Sequence, residues 1–132
     1  MRVSIQVRKP VEARTDVLVL GRHSDEARPG PELAAVDARL GGLLSRVLAA
    51  EKFEGKPGQV SYLFSNGKLP AARVMVVGLG PRRGAGADAA RNAAATAGRR
   101  ARDLGAATVA MYFAVEGLPA RARAQEIGRA HV

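Results

Sequence analysis

Two stretches of this sequence, VLVL at residues 17–20 and VMVV at residues 74–77, are apolar at every position and rich in β-branched side chains. Successive side chains of a strand point to opposite faces of its sheet. A strand that is apolar throughout must therefore be covered on both faces, as in the layered sheets of α/β proteins. These segments require a sheet with interior strands and further layers above and below it.

The rest of the chain supplies candidates for those layers. Residues 3–7 (VSIQV) alternate apolar and polar, the period of a half-buried strand, and are expected at a sheet edge. After a polar loop over residues 21–30, Pro31 stands at a first helical position. Leu33, Val36, Leu40, Leu43, Leu44, Val47 and Leu48 then follow at helical spacing. Gly41 and Gly42 interrupt this amphipathic run, and each costs about 1 kcal/mol relative to Ala in a helix interior. A bend, or a division into two short helices, is expected there. In QVSYLF, residues 59–64, a strand would place Val60, Tyr62 and Phe64 on one face, and Asn66-Gly67 supplies a turn dipeptide. The chain then returns, hairpin-like, into RVMVVGLG at residues 73–80.

From Asp88, a first-turn anion, to Leu104 the sequence is an Ala-rich helix, and Gly105 is placed to end it. The last strand is read at residues 108–115 (TVAMYFAV), before Gly117 and Pro119 break regular structure. The predicted order is β-β-α-β-β-α-β. It describes an α/β domain with a mixed, mostly parallel five-stranded sheet flanked by helices. No internal repeat or low-complexity linker is visible.

Composition narrows the function classes. With 132 residues, 47% of them hydrophobic, and a mean hydropathy of −0.07, the chain suits one domain with a modest core. Its apolar runs fall far short of the ~20 residues of a membrane-spanning helix, so no membrane partner is expected. The opening MRVSIQVRKP lacks the apolar centre of a secretory signal, and a cytoplasmic protein is expected. With no cysteine, disulfides, thiolate metal sites and a cysteine nucleophile are excluded. The formal charge of +9 invites a nucleic-acid reading. However, 17 of the 21 basic residues are Arg and Ala is abundant, the bias of a GC-rich genome, which accounts for the charge without selection for phosphate binding.

No constellation of catalytic residues emerges. Asp16, Asp25 and Asp37 fall on different elements, and a single usable histidine is a poor start for a metal site. His23-Ser24-Asp25 contains the letters of a hydrolase triad, but consecutive residues do not direct their side chains into a relay, so a solvated loop is expected. The Gly-rich stretch from Gly78 to Gly86 follows a strand and precedes a helix, where backbone N–H groups can cradle a phosphate. Its spacing departs from GxGxxG, because Arg83 takes the third glycine position, and no Gly-Lys-Ser/Thr is present. The favoured expectation is that Gly78 and Gly80 relieve a crowded strand end while Arg82 and Arg83 stay solvated. Arg91, Arg99 and Arg102 share one helix face within about 80° at the helical period, with Arg100 on its flank. No aromatic residue interleaves with them, so a solvated basic face is expected. Tyr62, Phe64, Tyr112 and Phe113 are expected mostly in the core.

Taken in order, TDVLVLG, LAAVDARLGGLLSRVLAAEKFEGKPGQ and LPAARVMVVGLG, followed by the Ala/Arg-rich helix, resemble the N-terminal domain of the leucyl (cytosol) aminopeptidase family. The resemblance runs from about Val3 to Val115, and SYLFSNGKLP departs from it in being more aromatic than the aliphatic strand expected there. It implies a macrodomain-like α/β domain that is not itself catalytic. The family joins this domain to a larger C-terminal domain that binds two divalent metal ions (Zn or Mn) and removes N-terminal residues from peptides. Assembly as a homo-hexamer is implied for the whole protein. None of the family's metal ligands or catalytic residues has a counterpart in this sequence, so the resemblance assigns no catalytic, cofactor-binding or metal-binding residue here. The competing expectations are a standalone macrodomain-like binder of ADP-ribose or another phosphate ligand, and a nucleic-acid binder using Arg91, Arg99, Arg100 and Arg102.

The final EIGRAHV continues no periodic pattern, and the codons GAG ATC GGA AGA GCA CAC GTC would spell a common sequencing-library adapter in frame. The domain is accordingly expected over residues 1–125, incomplete at its C-terminal end, with residues 126–132 an artefact. His131 lies in that tail and enters no site.

Overall fold

A computed structural model describes residues 1–5, 9–83 and 87–113. The apolar runs occupy the middle of its sheet. Strand β2 (Val17–His23) pairs in parallel with β4 (Arg73–Gly80) on one side and with β5 (Thr108–Tyr112) on the other. The order across the sheet is β1-β5-β2-β4-β3, with β1 (Arg2–Ile5) at one edge, parallel to β5. At the other edge β3 (Val60–Phe64) runs antiparallel to β4, with Val60 opposite Val77 and Phe64 opposite Arg73. The sheet is thus mixed and mostly parallel, and the hairpin expected at Asn66-Gly67 is present.

Covering layers lie on both faces. Leu18, Leu20, Val74 and Val76 point to one side and pack with Leu33, Val36, Leu40, Leu44 and Leu48 of helices α1 (Pro31–Arg39) and α2 (Leu43–Ala50). Val17, Val19, Met75, Val77, Val109 and Met111 point to the other side. There they meet Ala93, Ala94, Ala97 and Ala101 of helix α3 (Ala87–Asp103), whose small side chains let it lie close against the strands. Every residue of the two apolar runs is essentially inaccessible to water, as two-sided burial requires.

The glycine pair divides the first helical region. Gly41 and Gly42 take φ of 65° and 84°, the left-handed region that glycine enters without a Cβ penalty, and Gly42 starts α2. Across this break Asp37 accepts hydrogen bonds from the backbone N–H and the hydroxyl of Ser45, which fixes the angle between α1 and α2. A short 3-10 turn at Pro10–Glu12, with Pro10 and Val11 buried, had no signal in the sequence periodicity.

The aromatic residues divide. Tyr112 and Phe113 are half-buried and pack against the two core clusters. Tyr62 and Phe64 correct the expectation of burial, being 41% and 56% exposed. They lie on the face that α3 covers over β4, β2 and β5, but β3 is one strand further out. On the opposite face of β3, Ser61 is buried and donates to Glu51 at the end of α2. Phe64 is partly shielded by Arg73, whose guanidinium carbon lies 4.6 Å from the ring centroid and which also donates to the Leu104 carbonyl.

Candidate functional site

Polar groups concentrate at the carboxyl ends of β2 and β4, the side of a parallel sheet where ligands of α/β folds are commonly bound. The loop between α2 and β3 folds over this end. Within it the Gln59 side-chain oxygen accepts from the N–H groups of Glu54 and Lys56, each at 3.0 Å, which ties FEGKPGQ into a knot. The knot lies on β4, where Gly78 donates to the Gln59 carbonyl at 2.9 Å and Gly80 donates to the Gly55 carbonyl at 2.8 Å. A Cβ on Gly78 would stand 1.9 Å from the Lys56 carbonyl oxygen, so only glycine admits this backbone approach. Gly80 has φ of 72°, which turns β4 away from the sheet.

β2 ends against the same glycine. Register slips between Arg22 and His23, the Ser24 N–H donates to the Gly80 carbonyl at 3.0 Å, and His23 Nδ1 lies 3.1 Å from that oxygen. A carbonyl only accepts, so His23 bears its proton on Nδ1 in this contact. Asp25 reaches across to the segment after β4. One carboxylate oxygen accepts from the Arg82 N–H at 2.9 Å and the other from the Arg83 N–H at 3.3 Å. Arg82 also places its guanidinium 2.9 Å from Glu26. The Asp25 carboxyl is held below the usual aspartate range, chiefly by the Arg82 N–H, with smaller help from Arg83 and the nearby His23.

These contacts decide the sequence candidates. His23 and Asp25 are committed to separate partners, so the triad letters form no relay. Within the Gly-rich stretch the described amides of Arg82 and Arg83 point at an internal carboxylate, and residues 84–86 lie outside the described residues. Gly78 and Gly80 do relieve a crowded strand end, by admitting the α2–β3 loop. Arg82 and Arg83 are exposed, as expected, though Arg82 is paired with Glu26. Arg91, Arg99, Arg100 and Arg102 are exposed on α3, and Arg99 donates to Thr96 of its own helix. Asp16 lies at the opposite end of the sheet and accepts from the N–H groups of Ala107 and Thr108 at 2.7 and 3.2 Å. Among the described residues no group of three or more His, Cys, Asp or Glu is placed to hold a metal ion, so the residues present do not fit a two-metal centre. Nor, among those residues, is any helix long and apolar enough to cross a membrane. Sequence reasoning missed the roles of Asp25 and Glu26, because their partner Arg82 lies 57 and 56 positions away and no local pattern announces the pairing.

Residues 17–130 match the cytosol aminopeptidase family, N-terminal domain. A probable cytosol aminopeptidase of Geobacter sp. (strain M21) is 42% identical over 80 residues, covering 61% of this chain and 16% of that protein. The structure of a tomato leucine aminopeptidase mutant superposes with a TM-score of 0.72 at 25% identity, covering 96% of this chain and 26% of that one. The macrodomain of Mycobacterium tuberculosis DarG superposes with a TM-score of 0.69 at 14% identity, covering 97% of this chain and 90% of that one, a likeness of fold alone. The chain spans about a fifth of the length of the curated relatives it matches, between 16% and 22% for three of them.

Proposed function

This chain belongs to the cytosol aminopeptidase family, within that family's N-terminal domain, and from that premise we propose that it is a non-catalytic, macrodomain-like domain of a metal-dependent aminopeptidase. Release of N-terminal amino acids from peptides belongs, on this reading, to a C-terminal catalytic domain carrying two divalent ions, Zn or Mn. The domain itself contributes no catalytic, cofactor-binding or metal-binding residue. Its partners are that catalytic domain and the other subunits of a cytoplasmic homo-hexamer, in which it helps assembly and limits access to the catalytic domain.

The observation that carries the proposal is the small share of its relatives that the chain spans, 16% of the Geobacter protein and 26% of the tomato chain. The commitment of Asp16, Asp25 and Asp37 to backbone N–H groups supports it, since carboxylates engaged in this way are not gathered for metal binding or acid–base work. A standalone phosphate binder is favoured by the fold alone.

The test is hydrolysis of leucine p-nitroanilide by the purified chain with added Mn²⁺ or Zn²⁺. No turnover above the metal blank is expected. Activity that follows the 132-residue chain through successive purification steps would overturn the proposal.

A further inference from the structure

The sheet ends at β3, and among the described residues no strand lies beyond it. Its pairing with β4 decides which backbone groups that edge presents. Facing residues of an antiparallel pair alternate between exchanging hydrogen bonds and not doing so. Gln59 accepts from the Gly78 N–H and Ser65 donates to the Ala72 carbonyl, both at 2.9 Å, and the register between them runs without a bulge. Gln59, Ser61, Leu63 and Ser65 therefore bond inward to β4, whereas Val60, Tyr62 and Phe64 turn their N–H and C=O groups outward. The same residues carry the side chains of the face that α3 leaves open, where Tyr62 is 41% and Phe64 56% exposed. On the other face Ser61 is buried against Glu51 and Leu63 packs with the α1/α2 layer. The outward backbone groups and the uncovered rings thus belong to one set of residues.

Proteins block an edge of this kind with charged side chains, proline or a bulge. Residues 60–64, VSYLF, contain no charge and no proline, in a chain whose formal charge is +9. We propose that β3 pairs with β3 of a second copy of this chain, antiparallel about a two-fold axis at Tyr62, joining the two sheets into one. Tyr62 then faces its own counterpart, and Val60 faces Phe64 of the partner subunit. Each of these residues turns its N–H and C=O outward, so every such pair exchanges bonds in both directions. Their side chains form the aromatic and aromatic–β-branched cross-strand pairs that stabilise sheets. The strand is its own complement in bonding, shape and lack of charge, which is what fits a second copy. An edge of five residues covers less than the ~800 Å² per partner of a standard interface, so the association is weak and concentration-dependent. The charge of +9 on each copy opposes it, and salt screens such repulsion beyond about 10 Å at 0.1 M, so added salt strengthens the dimer. The inference stands on strand geometry and is independent of the aminopeptidase reading.

The experiment combines sedimentation equilibrium with amide hydrogen exchange on the isotopically labelled chain, at concentrations rising to about 1 mM, where even a weak dimer is populated. A monomer–dimer equilibrium that tightens with added salt is expected. As the dimer forms, the amides of Val60, Tyr62 and Phe64 should gain protection, while those of Ser61 and Leu63, already bonded to β4, should not change. Y62K sets like charges opposite each other on the axis and removes the central ring pair, so dimerisation should weaken about tenfold or more. If Y62K fails to fold, the alternation of protection in the wild-type chain decides the matter. A chain that stays monomeric throughout would overturn the proposal, as would association that leaves the amides of Val60, Tyr62 and Phe64 unprotected. A folded Y62K that pairs as tightly as wild type would also overturn it.

Discussion

Substituting Gly78 by Ala tests the packing on which the β2 and β4 ends depend. The added methyl would stand 1.9 Å from the Lys56 carbonyl oxygen and 2.7 Å from the Gly55 carbonyl carbon. These are backbone atoms of a loop that Gln59 holds rigid, so rotamer change cannot relieve the overlap. If the loop lifts, the bonds from Gly78 to Gln59 and from Gly80 to Gly55 are lost or stretched, at about 1 kcal/mol each. Overpacking adds about 1–3 kcal/mol. The stiffer unfolded chain of the alanine variant offsets about 0.4–1 kcal/mol. The net expectation is a destabilisation of about 2–4 kcal/mol, within the range of named core defects. The assay is urea unfolding followed by circular dichroism, read as a shift in midpoint at unchanged slope. Gly21→Ala is the internal comparison. The three atoms nearest its methyl all belong to the Leu79 side chain, the first at 2.6 Å, which can rotate away, so a cost below about 1.5 kcal/mol is expected. If Gly78→Ala costs no more than Gly21→Ala, the argument that a rigid backbone contact requires glycine at position 78 is refuted.

Leu18→Ala, at a fully buried position on the α1/α2 side of the sheet, should cost about 2–5 kcal/mol in the same unfolding assay; a cost below that range would mean the layer collapses around the cavity. Phe64→Ser should cost less than about 1 kcal/mol, the worth of an exposed cation–π contact with Arg73; a larger loss would show that the ring is covered in solution. The pH dependence follows from Asp25, whose pKa is lowered on folding, chiefly by the Arg82 N–H. Its contribution is present above the ordinary aspartate value of about 3.9 and is lost as pH falls through the lower folded-state value. The stability difference between wild type and D25N should therefore be full at neutral pH and shrink on acidification, and a difference that grows as pH falls would contradict this assignment.

Much of the fold is legible in the sequence because its signals are local and strong. Two all-apolar strands demand burial on both faces, and both are interior. Gly41-Gly42 and Asn66-Gly67 mark two of the places where the backbone takes positive φ to change direction. The exposure of Tyr62 and Phe64 depends on how far a covering element reaches. The period of β3 correctly groups Val60, Tyr62 and Phe64 on one face, but period does not reveal that α3 stops short of the outermost strand. The candidate site was hidden for a related reason. FEGKPGQ appears in sequence as a polar, Gly-containing loop, and its value lies in laying backbone against Gly78. Asp25 stands inside what looks like a solvated triad of letters, and only the fold brings it to Arg82.

The sheet order carries a consequence for how the polypeptide is made. Arg2 of β1 pairs with Thr108 of β5, and β5 also forms one flank of β2, so β1 has no partner in this sheet until β5 has been synthesised. Among the described strands only the β3–β4 hairpin closes locally, and contacts of such long range slow folding. Until residues 108–112 emerge, the nascent chain presents the VLVL strand with one edge bare, the kind of surface that invites pairing with other chains. Products truncated before Thr108 should accumulate as aggregates, whereas those extending past Tyr112 contain every strand of the sheet described here.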